Sequence, residues 1–177
     1  MFDKEQQRSV LNICSLKHKI HELQTILKSD NINIMTVSET HLDALISDGE
    51  IEIPGYCIFR KDRNRFGGGV AIYVQNHIPV KTRNDLMNPA IEALWLQIHL
   101  PHTKPLIIGC CYRPPNSNVQ YIEEICTMLQ RATDEDREVY FLGDLNIDWL
   151  STSCALKERI RVAMNVCQLN QMIQSND

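Results

Sequence analysis

Five polar residues in this chain have the types, and follow the apolar runs, that chemistry on a phosphate ester would need. Asp144 and Asn146 stand two apart in VYFLGDLNID (139–148), Tyr112 and Glu39 each follow an apolar run, and Asn12 lies near the amino terminus. Glu39 offers a hard anionic oxygen suited to Mg²⁺, and Asn12 a neutral oxygen close by. Asp144 is a carboxylate able to orient or deprotonate a water. Asn146 and Tyr112 bring N–H and O–H donors for phosphoryl oxygens as charge builds on them. This is the inventory of metal-assisted phosphodiester hydrolysis, short of one histidine and at least one further acid. Taken singly, each residue has a commoner structural explanation. Asp144 and Asn146 are turn formers after Gly143, Glu39 a solvated acid at a helix start, Asn12 a strand-end turn residue and Tyr112 a partly buried aromatic. Only convergence in the fold separates the two readings.

The elements that must bring them together are legible as hydrophobic patterns. Ser9 to Ile13 reads as a strand, Lys17 to Lys28 as a helix with Ile20, Leu23, Ile26 and Leu27 on one face, and Ile32 to Val37 as a second strand. Tyr56 to Arg60 and Val70 to Gln75 read as a hairpin joined by KDRNRFGGG, with Val80 to Arg83 a short third strand. Ala93 to Leu100 alternates, with Leu94, Leu96, Ile98 and Leu100 on one face and Trp95, Gln97 and His99 on the other. The run Leu106 to Tyr112 follows a Pro-flanked turn. Tyr121, Ile125, Met128 and Leu129 mark a helix, Val139 to Leu142 a strand, and Leu156 to Cys167 a last helix capped near Ser153. A leading βαβ, then antiparallel strands, then strands interleaved with helices predict an α/β fold of two packed sheets with helices outside. Residues 1–8 are an extension and 9–177 one domain, without repeats or linkers.

Composition narrows the classes. The net charge of −4 does not itself point to a polyanionic partner. Arg60 to Arg83, however, holds six basic residues against one acid, and Glu123 to Asp148 eight acids against two arginines. A basic rim and an acidic pocket suit a nuclease, and suit an ordinary surface equally. Arg60, Arg63, Arg65 and Arg113 are the candidate nucleic-acid contacts. Gly67-Gly68-Gly69 lacks the following Lys-Ser or Lys-Thr and leads into a strand, so it reads as a flexible hairpin end and not as a nucleotide-binding loop. The seven cysteines and six histidines show no zinc spacing, and the thiols read as buried in a reducing compartment. The amino terminus is too charged and polar for a secretory leader, and no apolar run has membrane-spanning length. The expectation is a soluble intracellular protein, nuclear or cytoplasmic, with no membrane partner and no protein partner indicated.

Five motifs in order carry a resemblance: LNICSLKHKIHEL (11–23), SETHL (38–42), IPGYCIFRKDRNRFGGGVAIYV (53–74), CYRPP (111–115) and FLGDLNID (141–148). GDLN alone is weak, but together they resemble the endonuclease/exonuclease/phosphatase superfamily, and within it the amino-terminal endonuclease domain of LINE-type non-LTR retrotransposons. The resemblance implies a four-layer α/β/β/α sandwich of two mixed, mostly antiparallel sheets. It implies Glu39 and Asn12 at a Mg²⁺ site (Mn²⁺ as a substitute), Tyr112 near the scissile phosphate, Asp144 on the attacking water and Asn146 on the transition state. The implied reaction is DNA nicking that leaves a 3′-hydroxyl for a reverse transcriptase domain in cis. It further implies that a closing Ser-Asp-His and the strands before it lie beyond Asp177, which makes this chain a fragment of weak or no activity. A non-catalytic remnant that binds nucleic acid weakly, and a phosphatase or phosphodiesterase for a small substrate, are the alternatives.

Overall fold

Alternation along Glu92–Ile98 (β6) sorts the protein into layers. Leu94, Leu96 and Ile98 enter one apolar cluster, while Ala93 and Trp95 enter another on the opposite face. A computed structural model describes residues 7–149 and 155–171 of the 177-residue chain. One sheet contains β1 (Arg8–Asn12), β2 (Ile34–Ser38), β3 (Tyr56–Lys61) and β4 (Val70–Gln75), in the order β1-β2-β4-β3. The other contains β5 (Val80–Thr82), β6, β7 (Leu106–Tyr112) and β8 (Val139–Asp144), in sequence order. Only β1 with β2 and β7 with β8 run parallel, each pair joined by a helical crossover; the other neighbours are antiparallel.

Helix α1 (Leu16–Ser29) buries Leu16, Leu23 and Leu27 against Met35, Val37, Ala71 and Tyr73 on the outer face of the first sheet. Ile34, Ile72 and Val74 on its inner face meet Leu94, Leu96, Ile108 and Cys110 of the second sheet. Helices α2 (Val119–Thr133) and α3 (Ala155–Val166) cover the remaining face through Ile122, Ile125, Leu129 and Ile160, packed on Trp95, Ile107 and Cys111. The result is a four-layer α/β/β/α sandwich, the architecture the resemblance implied. Adjacent Cys110 and Cys111 face different cores, as period-two geometry requires.

The short strand after the hairpin, to which the sequence assigned no sheet, joins the second sheet, where β5 pairs with β6. Two expectations are corrected. The second strand starts at Ile34, since the Ile32 and Asn33 N–H groups bond the carbonyls of Leu27 and Gln7. The strand opening VYFLGDLNID runs through Gly143 to Asp144, with Gly143 paired to Cys111 and Asp144 to Tyr112. Gly143 reads as a stop but serves as a ladder position at φ 126°, where a Cβ would collide with the Cys111 carbonyl. The cap expected near Ser153 lies outside the described residues. No helix among the described residues is long and apolar enough to cross a membrane.

Candidate active site

The two parallel strand pairs end at the same edge of the sandwich. Asn12 lies in register with Ser38, the residue before Glu39, and Tyr112 with Asp144. The Asn12 Nδ2 group donates to Glu39 Oε1 at 3.2 Å and to Asp144 Oδ2 at 2.9 Å, bridging two carboxylates from different sheets. The convergence that no single motif could establish is therefore made by one side-chain amide. Tyr112 ends the strand paired with that of Asp144, and its hydroxyl is close enough to Glu39 to feel its charge.

The turns that present these groups are backbone-strained and interlocked. Cys14, Ser15, Glu39, His41 and Asn146 all have positive φ, between 45° and 87°, a region costly for side chains with a Cβ. Such strain persists only where surrounding bonds over-determine it. Here Ser15 N–H bonds Glu39 O at 2.9 Å, Leu16 N–H bonds Thr40 O at 2.9 Å, and His41 N–H bonds Gly68 O at 3.0 Å. The glycine run is thus a buried wall behind Glu39, which corrects its reading as a flexible hairpin end. A Cβ on Gly69 would come within 2.5 Å of Thr40 Oγ1, so glycine lets the two loops approach.

Asp144 makes two different side-chain contacts. Its Oδ1 accepts the Asn146 backbone N–H at 2.8 Å, closing the turn, while Oδ2 faces Asn12. Asn146 Nδ2 donates to the Arg113 carbonyl at 2.8 Å, leaving its second N–H to point elsewhere. Arg113 itself is 1% exposed and donates to the carbonyls of Leu145, Asn146 and Ser117. It fastens the loop carrying Asn146 and presents no guanidinium to a ligand.

Electrostatics favour an ionised Glu39. Burial alone would raise its pKa, but hydrogen bonds donated by Asn12 and Cys14 outweigh burial and hold it below the ordinary carboxylate value. Burial, then the charge of Glu39, pushes the Tyr112 hydroxyl upward, so it stays a donor. Two neighbours escaped the sequence reading. Cys14 Sγ donates to Glu39 Oε2 at 3.3 Å and to Asn12 Oδ1 at 3.4 Å, and His41 Nε2 lies 3.5 Å from Glu39 Oε2. Each sits two residues beyond a site residue in the same turn, a signal that a search for zinc spacing passes over.

The expected basic rim is largely neutralised by acids, most of them from other segments of the chain. Arg60 is mostly buried, ion-paired with Asp48 at 3.2 Å and Asp62 at 3.0 Å, and bonded to Ile46 O. Lys61 is turned inward onto the carbonyls of Asn88 and Ile91. Arg65 pairs with Asp43 at 2.9 Å, and Arg63 with Glu92 at 2.9 Å while its guanidinium lies 5.7 Å from the Tyr112 ring centre. Arg63, beside Tyr112, and Arg65 keep exposed surface; Arg60 keeps little and Arg113 almost none.

The donor set fits a hard divalent cation in part. The Glu39 and Asp144 carboxylates are oxygen ligands of the kind Mg²⁺ accepts beside water and phosphate oxygens, whereas Asn12 faces both with its Nδ2 donor and turns its oxygen to Cys14 Sγ. Among the described residues no three His, Cys, Asp or Glu side chains group tightly enough to hold a metal. The described part of the chain thus supplies an incomplete shell.

No protein-family model and no curated protein matches the chain. Solved structures do. The endonuclease domain of TRAS1, a telomere-specific non-LTR retrotransposon, is similar at 14% identity over 90% of this chain and 70% of that one, with a TM-score of 0.67. An AP endonuclease from Archaeoglobus fulgidus is similar at 13% identity, 91% and 70% coverage and 0.66. The 3′-5′ exonuclease NExo from Neisseria meningitidis gives 13%, 89% and 70%, and 0.69. At such identities the likeness is one of fold.

Proposed function

We propose that this chain is the DNA endonuclease domain of a retrotransposon-derived protein, hydrolysing phosphodiesters with Mg²⁺. The observation that carries the reading is the Asn12 amide joined to both Glu39 and Asp144 at the edge where four strands end. Glu39, with the Asn12 oxygen, would hold the metal, with Mn²⁺ as a substitute; when bound it polarises the phosphoryl oxygen and offsets developing charge. Asp144 Oδ2 orients the attacking water and accepts its proton. The Tyr112 hydroxyl and the second N–H of Asn146 donate to phosphate oxygens whose charge grows in the transition state. Arg63 and Arg65 steer the DNA strand toward the site, each at the expense of an existing ion pair. The retrotransposon assignment rests on the motif order and on the fold shared with the TRAS1 domain, and it places a reverse transcriptase domain in cis.

The chain by itself should nick weakly or not at all, so the test is incubation of the chain, continued through the closing Ser-Asp-His segment that the resemblance implies, with supercoiled plasmid and Mg²⁺. Open-circular product with 3′-hydroxyl ends, absent without metal and lost in Glu39→Ala, is the expected result. A preference for a small phosphate ester over DNA would move the assignment to a phosphatase, a reading favoured by the pairing of Arg63 and Arg65 with Glu92 and Asp43. Salt-sensitive DNA binding without any cleavage would leave a non-catalytic nucleic-acid-binding domain.

A further inference from the structure

The loop between β3 and β4 ends in an aromatic ring that nothing in the protein covers. Phe66 is 88% exposed, the most exposed large apolar residue among those described. The loop beneath it is firmly held. Phe66 N–H bonds Asn64 Oδ1 at 2.9 Å, Gly67 N–H returns to Asn64 O, and Arg65 is pinned to Asp43. Arg63 bonds the Gly67 carbonyl at 2.8 Å and Glu92 at 2.9 Å, and the same guanidinium reaches toward the Tyr112 ring. One arginine therefore connects the residue next to Phe66 to the tyrosine of the candidate site. A floppy tip would let an apolar ring fold back onto the surface; this one is braced outward.

We propose that Phe66 is a stacking platform for an unpaired nucleobase beside the cleavage site, which makes DNA with a locally unstacked base the favoured substrate. The inference rests on the nucleic-acid reading above. Every base presents a π-face, so a lone exposed ring recognises unstacked bases without regard to identity, while Arg63 and Arg65 on either side of Asn64 offer charge to the flanking phosphates. A ring in this position contributes to the choice of DNA structure and not to the choice of sequence.

The experiment uses the 177-residue chain and two duplex oligonucleotides, one fully paired and one with a single bulged 2-aminopurine. Wild-type protein should bind the bulged duplex about tenfold more tightly and quench its fluorescence, and Phe66→Ala should lose the preference and the quench. The dependence of affinity on salt should be the same in both proteins, because no phosphate contact is removed. Phe66→Trp should retain the preference, which guards against a folding artefact. Equal binding of both duplexes by wild type and Phe66→Ala would overturn the stacking role while leaving the nucleic-acid reading intact; no binding of either duplex by wild type would overturn both. Unchanged DNA binding with loss of self-association in Phe66→Ala would assign the ring to a protein interface instead and likewise overturn the inference.

Discussion

Asp144 closes a turn and also meets a residue of the other sheet, because its two oxygens point to different partners. Oδ1 closes the turn to Asn146 and Oδ2 meets Asn12, and only the second could not be read from the chain, since Asn12 is 132 residues away. Distance in sequence also hid the acids that neutralise Arg63 and Arg65, which lie 29 and 22 residues from their partners. Arg113 is the residue whose expected role changes most. Its planar guanidinium satisfies three carbonyls from two loops. Replacement by Met leaves those carbonyls without a donor and should cost about 2–4 kcal/mol in urea unfolding. Arg113→Lys should recover little of this, because an ammonium cannot reproduce the fork. Nicking activity should fall in both, since the same bonds hold Asn146.

Glycines decide how closely the elements approach. β8 reaches Asp144 only because Gly143 lies against the Cys111 carbonyl, and a glycine after four apolar residues reads naturally as an end instead. Gly143→Ala combines a forbidden φ with a backbone clash and should destabilise by on the order of 3 kcal/mol, measured as a lower urea midpoint. Gly69→Ala tests the wall behind Glu39. The new Cβ presses on Thr40, next to Glu39 and His41 at their positive φ, so activity should fall by more than the loss of stability accounts for. Comparing residual nicking with the folded fraction at one temperature separates the two effects. The strands were legible as apolar runs, with β6 turning alternate residues to two different cores, and the helices where one apolar face repeats. The sheet that β5 joins was not legible, because a three-residue strand carries no pattern long enough to choose a partner.

Across the whole molecule, the outer helical layer is tied to the second sheet by charge as well as by packing. Arg83, just past β5, has a side chain only 7% exposed, bonds Asp85 and Gln97, and pairs with Glu135 beyond α2. Hydrogen bonds from Arg83 hold both carboxyls below their ordinary values of 3.8 and 4.5. Because the folded pKa values are depressed, this contribution to stability is complete above about pH 5 and is lost as pH falls through the folded values. The stability gap between wild type and Arg83→Met should therefore be widest near about pH 6 and narrow toward about pH 3. A constant gap across that range, by urea titration, would show that Arg83 acts through packing alone. The layered fold followed from hydrophobic patterning and motif order; the polar links between layers did not, because they join residues from separate elements.

If Asn12, Glu39 and Asp144 form one hydrolytic unit, their removal must not be additive. The most direct measurement is a double-mutant cycle on Mg²⁺-dependent plasmid nicking with Glu39→Ala, Asp144→Ala and the combined variant, each checked for native unfolding. Each single substitution should lower the rate by about 10²-fold or more, and the double variant should be little worse than either. Independent multiplicative losses, or nicking that survives both substitutions, would contradict the account.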